Sequence, residues 1–319
     1  MPLFVLLPIV GFILGWRRFF GGRTSSAALH AVAAIILFLY AAAYVGLLRQ
    51  MTFAVLAWGT LLLIYHCYLV IREGASIADD LPLGILVLLS VLLWWIHKDG
   101  FFLFYDEYSH WGIFLREMLY LDGFWTADTS AIHSRYPPGA TLWQYLFLEY
   151  TDHRDGVAYL AQFVVLMTPL IVFWQNLSWR QLPWILGIIA LLAFGLANFG
   201  HGIASLYVDH VLGAWFAGLI LNFLCDLRSR RPGELVSYVL PLSALVLFKG
   251  PGLYLALICA TLFAILLLVG SYRTESAEWS DFGKRHALAL AAIWLLVPVL
   301  VASSWTWNRD AAGAEREIY

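Results

Sequence analysis

Charge is what this chain has least of. Asp, Glu, Lys and Arg make up 13% of its 319 residues, where a soluble domain carries about twice that share. The 19 basic and 21 acidic residues leave a net charge of −2 and a pI near 6.5, which excludes the basic face that a nucleic-acid partner requires. Cysteine is nearly absent: Cys67, Cys225 and Cys259 stand far apart in or beside apolar segments, without CxxC spacing. That excludes a disulfide framework and a zinc ribbon, and makes the three small packing residues. Repeats of about 20–50 residues, low-complexity tracts and inverted halves of the transporter type are also missing.

What remains is apolar. Hydrophobic residues form 62% of the chain and the mean hydropathy is +0.78. Apolar runs recur at the length needed to cross a ~30 Å hydrocarbon core. They predict an all-α, polytopic membrane bundle of ten spans: about 2–16, 26–48, 51–71, 81–97, 157–175, 183–199, 204–225, 235–248, 252–270 and 286–304. The first and eighth are short and so are candidates for tilt, pairing or re-entry. The opening MPLFVLLPIVGFILGW has no basic stretch before its apolar run, and arginines follow it. This order predicts a first span with its N-terminus outside, rather than a cleaved signal peptide.

Alternation along ten spans puts three basic groups on one side: Arg17, Arg18 and Arg23; Arg228, Arg230 and Arg231; and Arg273, Lys284 and Arg285. The positive-inside rule makes that side the cytoplasm. The chain then divides into N-terminal membrane helices (1–97), an outer, periplasmic loop (98–156), a second group of membrane helices (157–304) and a short outer tail (305–319). The setting is a cell inner (plasma) membrane with the large loop outside. That loop holds nine acidic residues, Asp99, Asp106, Glu107, Glu117, Asp122, Asp128, Glu149, Asp152 and Asp155, together with His97 at its edge, His110, His133 and His153.

Within the loop, Trp111, Phe114, Leu115 and Met118 recur at helical spacing, with Ser109, Arg116, Glu117 and Tyr120 on the other side. The pattern predicts an interfacial helix over 107–121, apolar side down, with Asp106 and His110 facing one space as an i,i+4 pair. In GFWTADTSAIHSRYPPG the prolines force Tyr136 and Pro137 into extended conformations. Pro138 can then open a second short helix, GATLWQYLFLEY. Two short helices and a proline-fixed loop make a platform over the bundle.

The candidate chemistry lies beneath it. Asp209 and His210 interrupt the seventh span in SLYVDHVLGAWFAGLI, about a turn and a half below the outer surface, and embedded ionisable groups usually carry partners and roles. Lys249 in LVLFKGPGLYLAL stands at the same side, where Gly-Pro-Gly frees backbone groups that lipid does not satisfy. Asp106, Glu107, His110, Asp209, His210 and Lys249 therefore converge at similar depth. Each also has a plainer use: Asp106 and Glu107 as helix caps, His110 as a wet surface group, Asp209 as the structural partner of Lys249, and Tyr136-Pro-Pro-Gly as a turn. EYSH matches the E-x-x-H of di-metal bundles, but those need a second copy, which this sequence lacks.

DEYSHWG followed by RYPPGATLWQY, LYVDHVLG and LVLFKGPGL resembles the GT-C superfamily of integral-membrane glycosyltransferases. The likeness is to bacterial members related to protein O-mannosyltransferases and aminoarabinose transferases, and covers residues 98–305. It implies an Asp or Asp-Glu pair in a large outer loop and inverting transfer from a polyprenyl-phosphate-linked sugar to a lipid, glycan or protein acceptor. Two features depart from the pattern. The acidic loop follows the fourth span instead of the first, and the chain stops soon after the tenth, as expected of a short or truncated member.

The residues suit that chemistry on their own terms. Asp106 is the expected base for the acceptor hydroxyl, and Glu107 an orienting or metal-contacting carboxylate. Lys249 meets the leaving phosphate, which needs a cation and no general acid. Arg135 or His110 assists, both belong with Tyr136 and His210 to the substrate-binding set, and Asp209 holds Lys249 or a sugar hydroxyl. No cofactor is required; a divalent metal is left open at Asp106 and Glu107. The main non-enzyme alternative is a proton-coupled transporter using Asp209, His210 and Lys249, against which the cytoplasmic half offers few matching ionisable groups. An O-antigen polymerase or ligase would carry arginine-rich outer loops, and this one is acidic. A non-catalytic envelope-assembly subunit is the third alternative.

Overall fold

The computed structural model describes residues 2–73, 80–198, 203–229, 232–273 and 277–314, and among them there is no β-strand. A 3-10 turn (Pro2–Val5) leads into α1 (Leu6–Phe20), followed by α2 (Thr24–Tyr44), α3 (Leu48–Glu73) and α4 (Leu81–His97). The large loop contains a π-helical turn (Glu107–Trp111), α5 (Gly112–Leu121) and α6 (Gly139–Leu148). Then come α7 (Asp155–Met167), continued by a 3-10 segment (Thr168–Trp174), α8 (Leu182–Asn198), α9 (Val208–Ser229), α10 (Pro232–Ser237), α11 (Val239–Val246), α12 (Gly252–Arg273) and α13 (Ala277–Ala311).

Among the described residues, seven helical segments are long and apolar enough to cross a membrane: Pro2–Phe20, Thr24–Tyr44, Leu48–Glu73, Asp155–Trp174, Val208–Leu227, Gly252–Val269 and His286–Ala311. Three shorter apolar helices, Leu81–His97, Leu182–Ala197 and Glu234–Val246, coincide with the fourth, sixth and eighth expected spans. The eighth is broken at Tyr238 into α10 and α11. In α1, Arg17 and Arg18 lie inside the last turn, where cations meet the negative end of the helix dipole.

The centre of the bundle is α2, α6 and α7. Every residue of α6 is buried, and the Asp155–Trp174 segment is almost wholly so. Around this centre α1 and α3 cross at Gly11 and Gly59. A Cβ on Gly11 would lie 1.9 Å from the Gly59 carbonyl oxygen, so only glycine permits the approach that stands in for a hydrophobic drive between helices in lipid. The 3-10 segment has a covalent cause. Pro169 brings no N–H and its ring displaces the carbonyl four residues back; that carbonyl, on Val165, accepts from Trp215 Nε1 at 2.9 Å instead.

The polar contacts between turns fall into two sets. At one end Arg17 pairs with Asp80, Arg23 reaches Asn176 at 3.3 Å and the Ser25 N–H donates to Gln175 Oε1 at 2.8 Å. At the other, Arg49 pairs with Glu149 at 2.9 Å, Lys249 with Asp209 at 2.8 Å and Arg135 with Asp310 at 2.5 Å. Both sets join the turns that strict alternation of ten spans places together. Of the residues used for orientation, Arg230 and Arg231, and the side chains of Arg228, Arg273, Lys284 and Arg285, lie outside the described residues.

Four expectations are corrected. First, α6 is no surface helix, because its whole circumference is covered. Second, Ser109 faces inward, since the π turn rotates it off the exposed side, and is buried. Third, the segment expected as a tail from 305 begins as helix: α13 runs through Ala311, and its last turns pack on the large loop. Fourth, the end marked by Arg17 and Arg23 is not poor in ionisable groups. Near it His30 and Asp226 are buried, and the Tyr238 hydroxyl donates to Asp226 Oδ2 at 2.8 Å.

Candidate functional site

The site begins at the π turn. A π turn carries one residue more than an α turn and recurs at functional positions; here it turns Glu107 inward and leaves its neighbour Asp106 partly open. Glu107 is 1% exposed. Its Oε2 accepts from the backbone N–H groups of Leu103 at 2.7 Å and Phe104 at 3.0 Å, and its Oε1 from that of Leu206 at 2.9 Å. The Tyr159 hydroxyl lies 3.2 Å from Oε2. Both oxygens are thus committed to the chain. Glu107 joins the approach to the π turn to the segment before α9.

Asp106 has a different setting. Its side chain is 27% exposed, with Oδ2 3.9 Å from His110 Nε2. Tyr207 hydrogen-bonds to Asp106, and its hydroxyl is raised above the ordinary phenol range by burial, then by the carboxylates of Asp106, Glu107 and Asp209. The Tyr207 phenol is thus a hydrogen-bond donor beside the Asp106 carboxylate. His110 is buried, with Nδ1 2.7 Å from Ser109 Oγ. Its ring stands nearly perpendicular to those of His133 and Tyr136, each at 5.4 Å between centroids. Tyr136 lies between Trp111 and His133, stacking on both at 5.4 and 4.8 Å. His133 sits in the left-handed region at φ 64°, a conformation that side chains adopt at some cost.

The YPPG turn is joined directly to the Lys249 segment. The Gly139 N–H donates to the Leu247 carbonyl at 2.6 Å, and a Cβ on Gly139 would lie 2.6 Å from that oxygen, so glycine is required. Lys249 Nζ then rests 5.7 Å from the Tyr136 ring centroid. It donates to both oxygens of Asp209, at 2.8 and 2.9 Å. The pairing expected from sequence is present, and it sits at the start of a helix, not within one. Helix α9 begins at Val208, so Asp209 is in the first turn and its side chain is 58% exposed. A carboxylate there faces the unpaired N–H groups of the first helical turn. His210 follows on the same turn, partly buried.

Beside this pair opens a cleft of about 540 Å³. Arg135, Tyr136, Lys249 and Thr306 give it a polar end, and Leu247, Leu253, Tyr254, Ala302 and Trp305 an apolar wall. It lies where α11, α12 and α13 meet the large loop, and the Arg135 guanidinium reaches Asp310 at 2.5 Å and the Ala314 carbonyl at 3.1 Å. The last turns of α13 hold this loop at several points. Trp305 Nε1 donates to the Arg135 carbonyl at 2.8 Å. Arg309, buried, donates to the carbonyls of Trp125 and Thr126 at 2.6 and 3.2 Å.

Asp106, His110, Tyr136, Lys249 and Asp209 therefore form one contiguous surface, with Arg135 at the far side of the cleft and Glu107 behind it. Sequence reasoning missed Tyr207, Trp305, Arg309 and Asp310. A signal for the last three existed: Trp305 and Arg309 are four apart, on one side of a continued helix. No family model, characterised protein or solved structure matches this chain.

Proposed function

We propose that this chain is an inverting glycosyltransferase that moves a sugar from a polyprenyl-phosphate carrier to a hydroxyl acceptor on the outer face of the membrane. The observation that carries the reading is the pairing of an accessible, oriented carboxylate at Asp106 with a cleft that joins two cations to an apolar wall. A polyprenyl phosphate has the same two-part chemistry, an anionic head on a hydrocarbon tail.

In this reading the acceptor oxygen attacks the anomeric carbon from the side opposite the phosphate. Its proton passes to the Asp106 carboxylate, held by Tyr207 and faced by His110. The bond from the anomeric carbon to the phosphate oxygen breaks, and its electron pair stays on the phosphate, met by Lys249 and Arg135. The configuration inverts, and the proton on Asp106 is lost to solvent. The aromatic wall of Trp111, Tyr136 and His133 limits water at the reacting carbon, and no step needs a metal.

A proton-coupled transporter is the second reading, favoured by the buried His30, Asp226 and Tyr238 near the opposite end. Mass spectrometry of envelope glycolipids, glycoproteins and polysaccharides, with and without the chain, separates the two. Transferase activity predicts the loss of one sugar from one class and accumulation of its lipid-linked donor. An unchanged glycan inventory contradicts it.

A further inference from the structure

Lys249 already holds an anion. Its Nζ donates to both oxygens of Asp209, at 2.8 and 2.9 Å, in the two-point arrangement that phosphate oxygens would offer. Arg135, the other cation of the cleft, is likewise engaged, with Asp310 at 2.5 Å. Neither cation stands open. A phosphate entering this cleft therefore binds by exchange, and what it displaces decides how tightly it is held.

The two ends of the lysine pair are unequally covered by the chain. Lys249 has 18% of its side chain exposed, Asp209 58%. A carboxylate so open regains its hydration when released, so the bond to be broken is a weak one. We propose that Asp209 is a displaceable counter-ion: the lipid phosphate replaces it on Lys249, and it takes Lys249 back when the phosphate leaves. This rests on reading the cleft as a lipid-phosphate site and adds a specificity role for Asp209. A sugar-phosphate diester carries a single negative charge, whereas the released monoester approaches two at neutral pH. Two cations hold the more charged product harder than the donor. A carboxylate fixed at the N-terminus of α9 competes for Lys249 and repels the dianion, which favours product departure. Asp209 is thus a positioning residue whose removal strengthens phosphate binding, where a purely structural partner would leave it unchanged or weaken it.

The test uses the full chain in lipid nanodiscs, with decaprenyl monophosphate as probe and decaprenol as the uncharged control, read by native mass spectrometry and tryptophan fluorescence. Lys249→Gln should bind the monophosphate at least about tenfold more weakly than wild type. Asp209→Asn and Asp209→Ser should both bind it about two- to fivefold more tightly and release it more slowly, and decaprenol should bind all four proteins alike. Two replacements at Asp209 keep the test open should one fail to fold. If Lys249→Gln weakens binding while both Asp209 variants match or fall below wild type, the exchange is overturned and the cleft keeps its reading. If the wild type binds the monophosphate no better than Lys249→Gln does, the reading of the cleft falls, and the exchange with it.

Discussion

At the residue scale, two adjacent carboxylates have opposite environments, and substitutions should separate them. Glu107 is enclosed by three backbone N–H donors and a tyrosine hydroxyl. Glu107→Gln would turn an amide N–H₂ against one of those donors, at a cost of about 1–3 kcal/mol. The melting temperature should fall by several degrees, and an unchanged value would show that the enclosure is not stabilising. Asp106→Asn changes a partly exposed group and should leave the melting temperature alone. The Asp209–Lys249 pair belongs with Asp106 in this respect. Because Asp209 is more than half exposed, a double-mutant cycle on stability should return a coupling below about 1 kcal/mol. A coupling of several kcal/mol would mean that the pair is dry. The sequence made Asp106 and Glu107 look alike; only the π turn, which no periodicity announces, sends one inward and leaves the other partly open beside His110.

At the scale of elements, the last turns of α13 and the start of α3 clamp the large loop from two sides. Arg309 holds the Trp125 and Thr126 carbonyls while its guanidinium lies 5.8 and 5.5 Å from the Trp125 and Trp305 rings. Arg309→Met keeps the volume but loses those bonds, an expected loss of about 2–3 kcal/mol, with faster proteolysis within 122–136. Wild-type melting and nicking rates would rule the clamp out. On the other side, burial raises the Glu149 carboxyl above its ordinary value of 4.5, against the opposing pull of Tyr145 and Arg49. A carboxyl raised on folding favours the protonated native state, so its contribution is full below about pH 4.5 and is lost as pH climbs through the folded value. Glu149→Gln should flatten that part of the stability–pH curve, and an unaltered slope would exclude Glu149 as its source. These elements were unevenly legible. The spans were readable because apolar runs of spanning length have few other uses, and the YPPG turn because proline fixes its own backbone. The end of α13 was hidden where hydrophobicity falls at Trp305 while the helix continues. The start of α9 was read too early because Ala204 and Leu206 extend the apolar run ahead of the helix.

At the scale of the whole molecule, a helical bundle carries its polar contacts at two ends, and the candidate site belongs to the end that holds the large loop. Single cysteines at Thr126 and Ser178, exposed on opposite ends, in a background without Cys67, Cys225 and Cys259, should label from opposite sides of the membrane. Thr126 should label from outside, and labelling from the cytoplasm would remove the outer-face site. The basic residues suggested an alternation of ten spans, but the convergence of Asp106, Tyr207 and Lys249 required the fold, since Asp106 stands about a hundred residues or more from the other two. The central claim is that sugar transfer depends on the Asp106 carboxylate. Its most direct test is glycan mass spectrometry of cells lacking the chain and complemented with wild type or Asp106→Asn at equal abundance and melting temperature. The account predicts that wild type restores the missing sugar and Asp106→Asn leaves it missing, with the lipid-linked donor accumulated; restoration by Asp106→Asn to within a few-fold of wild type would contradict it.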